Sequence, residues 1–209
     1  SDKLKPWTQL AEAKLAAEQA LAKVSGLDYV IVRPAIVYGP GDIGGLMPRI
    51  ICGATYKQSG DVMEFLWSGE LKINTVHVDD VVRAIWHLTD SSKAQSGSVF
   101  NLADQNDTDQ GSVNAMLETL YGIKTGFLGT LKSKAATTVA MKTVAEAAND
   151  KHLKPWSDLC REKGVKFTPL TPYLDEELLY NNSLSVDGSK ITTTGFTYKH
   201  PKVTVDDLK

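Results

Sequence analysis

Apolar residues return at helical spacing near the start of the chain. Leu10, Ala13, Ala17, Leu21 and Val24 fall on one stripe, Thr8 stands where an N-cap belongs, and Gly26 offers a left-handed stop. The period then changes. Tyr29 to Val32 is apolar on both faces, the pattern of a parallel strand buried from two sides. Pro34 has no N–H to give and is expected to end that ladder. Gly39, Pro40, Gly41 and Asp42 read as a turn, and a helix follows from Gly45 to about Lys57. Ile73 to Val78 reads as a short strand running into a helix that Asp79 or Asp80 caps. Val81, Ala84, Ile85 and Leu88 mark the buried face of that helix, with Trp86 beside it as a core residue. Gly97 to Asp104 is a further buried strand, and Ser112 to Leu120 a helix ended by Gly122. The Ala- and Lys-rich stretch 132–163 is helical, with a break expected at the LKPW of Leu153 to Trp156. The remainder alternates turns and short helices. LKPW also opens the chain, in LKPWTQL against LKPWSDL, but the flanking sequences differ and no internal repeat follows.

Strands alternating with helices imply an α/β fold with a parallel sheet, whose ligand sites lie at the carboxyl ends of the strands. Three segments put small or polar residues there: RPAIVYGPGD, HVDDV and NLADQND.

Composition narrows the field. The 209 residues are 42% hydrophobic and 23% charged, enough for one domain or at most two with a substantial core. With 23 basic against 25 acidic residues the net charge is −2, and no basic run points to nucleic acid or an anionic membrane. No apolar run is long enough to cross a bilayer, and the start carries no signal-peptide pattern. Cys52 and Cys160 form no CxxC, which suits a reducing, cytoplasmic setting better than a disulfide scaffold, a single bridge between them staying open. No His or Cys stands at metal-ligand spacing, and Asp79 and Asp80 are spaced for capping, so no metal is expected. His77, between valines on a short strand, reads as a neutral, hydrogen-bonded core histidine. Arg33 is expected to pair with a carboxylate.

RPAIVYGPGD, then NTVHVDDVVRAI, then SVFNLAD, with the helix PWTQLAEAKLAAE ahead of them, resembles the extended short-chain dehydrogenase/reductase family, the NAD-dependent epimerase/dehydratases. The closing SVDGSKITTTGFTYKHPKVTVDDL is similar to the end of that family. The likeness is weakest from 126 to 173 and concerns the family's C-terminal part. The family's GxxGxxG turn and first strands are absent, so an upstream piece is expected. The resemblance implies the C-terminal part of a Rossmann-like doubly wound sheet with a small, mostly helical substrate lobe. Residues 1–125 would carry the nucleotide-binding part with interleaved lobe segments, and 126–209 the lobe and tail.

The resemblance also implies roles. Lys14 matches the lysine of the family's YxxxK, which holds the nicotinamide ribose of NAD or NADP and lowers the pKa of the tyrosine acid/base. The tyrosine position is Leu10, which transfers no proton. Three explanations stay open. A base could come from elsewhere, Tyr38 being the nearest candidate; chemistry could be absent; or the register could differ, although no tyrosine precedes Tyr29. Pro34, Ala35, Ile36 and Val37 would wall the nicotinamide. Tyr38, Arg49 and Asn74 would contact substrate, with Lys72 and Lys190 as further cations and Trp67 lining a cleft. The implied activity is that of an NAD(P)-dependent epimerase/dehydratase or oxidoreductase on a hydroxylated small molecule, nucleotide sugars included. The alternatives are a non-catalytic nucleotide-binding sensor or structural subunit, and an inactive proteolytic fragment. The Ala-rich helix of Lys14 is the expected homodimer surface.

Overall fold

The segment Val30 to Tyr38 is the spine of the fold. In this computed structural model, which describes residues 4–209 and the side chains of all but 137–139, the segment forms two strands. β1 (Val30–Pro34) pairs in parallel with β5 (Ser98–Leu102), and β2 (Ile36–Tyr38) pairs in parallel with β4 (Thr75–His77). The exchange of partner takes one residue. Ala35 N–H still donates to Leu102 O at 2.8 Å, and Ile36 N–H already donates to Asn74 O at 3.0 Å. Pro34 does not end the ladder as expected, but stays in register opposite Leu102. A strand residue gives its N–H to one neighbour only, so a proline costs nothing on the side where no donor is needed. A third parallel pair joins β3 (Met63–Phe65) to β6 (Thr125–Phe127).

Helices α1 (Gln9–Leu21), α2 (Met47–Ser59), α3 (Val78–Leu88) and α4 (Gln110–Tyr121) are interspersed among these strands, and α5 (Gly129–Val139) and α6 (Met141–Glu162) follow the last of them. Short 3₁₀ turns at Glu176–Leu179, Ser189–Thr194 and Asp206–Leu208 finish the chain. Burial of apolar surface gathers two cores. One joins β1, β5 and α3 to the tail through Ala84, Phe100, Leu102, Ile191 and Phe196. The other joins α2 and α4 through Leu46, Ile50, Val113 and Leu117, with Tyr38 and Leu208 closing it. No helix among the described residues is long and apolar enough to cross a membrane.

Four local expectations are corrected. α1 stops at Leu21, so Gly26, at φ 74°, serves the following turn instead. The N-cap of α3 is His77, whose Nδ1 accepts from Asp79 N–H at 3.1 Å, while both aspartates lie inside the first turn. The buried positions of α3 are Asp80, Ala84 and Leu88, which leaves Trp86, two residues beyond Ala84, on the opposite side and 79% exposed. α6 runs through Pro155 unbroken. Its buried face, Met141, Ala145, Asn149 and His152, is anchored ahead of the proline, and tertiary packing overrides the local propensity.

Candidate functional site

A cavity of about 830 Å³ opens at the carboxyl ends of β2 and β4. α1, the glycine turn and the segment 171–184 enclose it. The turn is built from one side chain and one missing one. The Asp42 carboxylate accepts the N–H groups of Gly44 (3.0 Å), Gly45 (2.6 Å), Leu46 (2.8 Å) and Met47 (3.0 Å), folding the loop onto the start of α2. The N–H groups of Leu46 and Met47 belong to the unpaired start of α2 and those of Gly44 and Gly45 to the loop before it, and a carboxylate there also complements the dipole. A Cβ on Gly45 would stand 1.9 Å from Val37 O, so the loop approaches β2 more closely than any side chain permits.

α1 brings Lys14 and Leu10 to the opposite wall. Thr8 Oγ1 caps the helix by accepting from Ala11 N–H at 3.0 Å, and the Glu177 carboxylate accepts Gln9 N–H at 3.1 Å. Arg33 of β1 finds the expected carboxylate in Glu18 of α1, with Nε donating at 2.9 Å. Lys14 makes no hydrogen bond or ion pair with any described residue.

Arg49, in the first turn of α2, also lines the cavity. Its Nη2 donates to Gln110 Oε1 at 3.0 Å, its guanidinium lies 5.1 Å from the Phe65 ring centre, and its Nη1 is sealed from solvent without an acceptor. Burial lowers its pKa to about 10.

Lys14, Ile36, Val37 and Arg49 therefore meet around one space. The other candidates lie elsewhere. Ala35 is packed in the first core, and Pro34 ends β1 outside the cavity. Tyr38 is 1% exposed, set edge-on to His77 with ring centres 5.2 Å apart, and its hydroxyl has no partner. Burial first, then Asp104, Asp207 and Asp80, push its pKa far above the ordinary phenol range, so this hydroxyl stays protonated in the core. Asn74 is a structural pin: Nδ2 donates to Asp107 Oδ1 (3.0 Å) and Thr108 O (3.3 Å), and Oδ1 accepts Val186 N–H at 2.6 Å. Lys72 pairs with Asp107 at 2.9 Å, and Lys190 donates to Val99 O at 2.7 Å over the Phe100 ring. Trp67 is 6% exposed, with Nε1 donating to Leu179 O at 2.7 Å behind the cavity wall.

The far wall, Leu174, Leu178 and Leu184, was hidden in a stretch read only as turns and short helices. For Leu174 and Leu178 the signal was the run of leucines in PYLDEELLYN, which needs a surface to pack on; Leu184 lies beyond it.

Two other clusters are chemically quieter. His77, His200 and Asp207 bring ligand atoms within 4.8 Å of one another, the one such group among the described residues. Their separation along the chain concealed it. His77 and His200 stack with ring centres 3.7 Å apart, and Nδ1 of His77 is already the acceptor for Asp79 N–H. A neutral ring so bonded keeps its proton on Nε2, so binding a cation through His77 means surrendering the helix cap. Cys52 Sγ lies 3.6 Å from His152 Nδ1, but burial pushes the thiol up to about 12, leaving it no nucleophile near neutrality.

Residues 1–103 match the model of the NAD dependent epimerase/dehydratase family. No curated protein matches the chain. Among solved structures, the human epimerase family protein SDR39U1 with NADPH is 15% identical at a TM-score of 0.55, over 99% of this chain and 56% of its own. A UDP-glucuronic acid 4-epimerase from Bacillus cereus, a mutant in complex with a fluorinated UDP-sugar and NAD, is 22% identical at 0.50, over 62% and 43%. MoeE5 in complex with UDP-glucose and NAD is 27% identical at 0.48, over 62% and 45%. The chain thus spans about half the length of these proteins, or less. The first two similarities establish the fold, a mixed α/β architecture of the Rossmann-like kind.

Proposed function

Residues 1–103 are sequence of the NAD-dependent epimerase/dehydratase family, and from this we propose that the cavity at the ends of β2 and β4 binds the nicotinamide end of NAD or NADP together with a hydroxylated small molecule, nucleotide sugars included. One observation carries the reading: Lys14, Ile36, Val37 and Arg49, drawn from three elements, line a single space. The residues fit the group. An unpaired ammonium beside an apolar strand end suits a ribose hydroxyl pair next to an aromatic ring, and Gly45 lets the loop close without a side chain in the way. The cofactor, when bound, supplies hydride chemistry. Lys14 holds the ribose, the Ile36–Val37 backbone fixes ring orientation, and Arg49 takes the substrate.

A second reading, binding without turnover, is favoured by one specific pairing of facts. Leu10 offers no proton, and the Tyr38 hydroxyl is enclosed in the core. Binding and turnover, measured on the unmodified chain and on one variant, separate the two. Titrating the chain with NADH and NADPH by nicotinamide fluorescence should give saturable binding that Lys14→Ala weakens about tenfold or more, the worth of a charged hydrogen bond. Turnover of nucleotide sugars lost in the same variant supports the enzyme; binding without any turnover in the unmodified chain supports the second reading. Absence of binding refutes both.

A further inference from the structure

Large apolar side chains left in water are ordinary when scattered and informative when gathered. Six of them meet in the cavity at the ends of β2 and β4: Trp7, Leu10, Ile43, Tyr173, Leu178 and Tyr180. Leu178 is 67% exposed, Leu10 64% and Ile43 54%. They come from three distant stretches of chain, the start of α1, the glycine turn and the segment 171–184. None of these stretches needs them exposed for its own folding. α1 has no buried residue, so Trp7 and Leu10, three positions apart, face this space and serve no core. Asp42 already fixes the turn from which Ile43 stands out. Leu174 packs on the second core, which leaves Leu178 and Tyr180 of the same segment to the cavity.

The charged groups of this wall have little left to offer. There are four of them: Lys14, Asp42, Arg49 and Asp175. Arg49 gives Nη2 to Gln110 and has Nη1 sealed from solvent, so it has few donors to spare. Asp42 folds the turn, Asp175 accepts Glu177 N–H at 2.9 Å, and both carboxylates oppose an entering anion. Lys14, unpaired among the described residues, is given to the ribose in the reading above. A pyrophosphate placed here finds its counter-charge already committed. An apolar body finds surface to cover.

We propose that the substrate of this cavity is a hydroxylated compound whose larger part is an uncharged apolar ring system, selected by the exposed side chains of Leu10, Ile43 and Leu178 in preference to a nucleotide sugar. The flat faces of Trp7, Tyr173 and Tyr180 suit rings in particular. A concave space of about 830 Å³ lined largely by apolar and aromatic groups has the dimensions of a small-molecule pocket, where a protein partner would want a flatter face. The inference rests on the cavity being the ligand site.

The test titrates the chain by calorimetry with three compounds sharing one glucosyl group, naphthyl glucoside, methyl glucoside and UDP-glucose, with NADH followed in parallel. Naphthyl glucoside should bind at least about tenfold tighter than either of the others, through the apolar area it removes from water. The double variant Ile43→Ser with Leu178→Ser, at two exposed positions, should weaken naphthyl glucoside about fivefold or more and leave NADH within about twofold. Circular dichroism establishes that the double variant is folded, and the comparison of the three compounds on the unmodified chain stands without it. With NADH bound, tighter binding of UDP-glucose, or equal binding of the naphthyl and methyl glucosides, overturns the proposal and leaves the cavity reading standing. Naphthyl glucoside that binds the folded double variant as well as the parent sits elsewhere and overturns it too. A dimer in sedimentation velocity that the double variant dissociates assigns the wall to a second copy, with the same consequence. Failure of NADH and of all three glucosyl compounds overturns both.

Discussion

Asp80 offers the sharpest test of how the tail is held. Its side chain is fully buried, and its carboxylate accepts from Arg83 Nη1 at 2.6 Å, Lys199 N–H at 2.8 Å and His200 N–H at 2.8 Å. Sequence position suggests a helix cap, but these bonds tie the first turn of α3 to a stretch of irregular tail more than a hundred residues away. Asp80→Ala removes all three. Arg83 is 40% exposed on its side chain and rehydrates, so its share is small. The two backbone N–H groups lose a charged acceptor in a partly buried place, at about 1.5–3 kcal/mol each before relaxation. The expected loss is about 3–5 kcal/mol, the range for breaking one side of a buried ionic pair. For a chain of this size that is a fall of roughly 6–20 °C in Tm. Urea unfolding followed by far-UV circular dichroism measures the first figure and a thermal scan the second. Asp80→Asn keeps one acceptor and should lose less than half as much. An alanine variant within about 1 kcal/mol of the parent would refute the reasoning, because the tail would then be held by its apolar contacts through Phe196 and Tyr198 alone.

Two further outcomes follow from the site and its surroundings. Gly45→Ala places a methyl 1.9 Å from Val37 O, so about 1–3 kcal/mol of stability and most NADH binding should be lost; Gly44→Ala, with nothing within 4 Å, should stay within about 0.5 kcal/mol. Urea midpoints and the NADH titration read both. Stability should also fall with acid. Burial, then His200, holds His77 below the ordinary 6.5, against the opposing pull of Asp207, Asp79 and Asp80, and burial does the same for His152. The unfolded chain therefore binds more protons below pH 6.5, so the stability contributed by these rings is complete above 6.5 and drains away as pH drops from there towards the folded values. Urea midpoints at about pH 7.5, 6.5 and 5.5 measure this. His77→Asn, which retains a capping acceptor, should flatten the decline, and a midpoint that does not move with pH in either protein would contradict the assignment of neutral rings.

What could be read in the sequence and what could not divide along one physical line. Patterns set by near neighbours came through. The strand at Val30, the helix after Thr8, the Gly122 stop and the buried state of His77 depend on residues a few positions away, and the structure has all of them. The glycine turn was legible because only a turn wants Gly39, Pro40, Gly41 and Asp42 together. What failed depended on distant partners. Asn74 looked available for a ligand because its side chain's three hydrogen-bond partners lie at 107, 108 and 186. Tyr38 looked like a loop hydroxyl because the tail that buries it, around Leu208, arrives last in the chain. Trp86 looked buried because it lies beside the expected stripe of Val81, Ala84, Ile85 and Leu88, and its helix turns Asp80, Ala84 and Leu88 inward instead. Of the site, Lys14, Ile36, Val37 and Arg49 were named from sequence and share a cavity, while the leucine wall from 174 to 184 was not foreseen.

The helix bearing Lys14 has one more consequence. α1 has no fully buried residue, and it is moored at two points by ionic groups: Glu18 to Arg33 at one end, the Glu177 carboxylate to its first N–H at the other. Moorings of this kind respond to the electrolyte, since partly exposed charges are screened over about 8 Å at physiological ionic strength. One wall of the cavity is thus fastened by exposed charges that dissolved ions weaken, while the other, built on β2 and α2, also rests on the packed core around Leu46 and Ile50. The width of the space is in part a property of the medium around the protein.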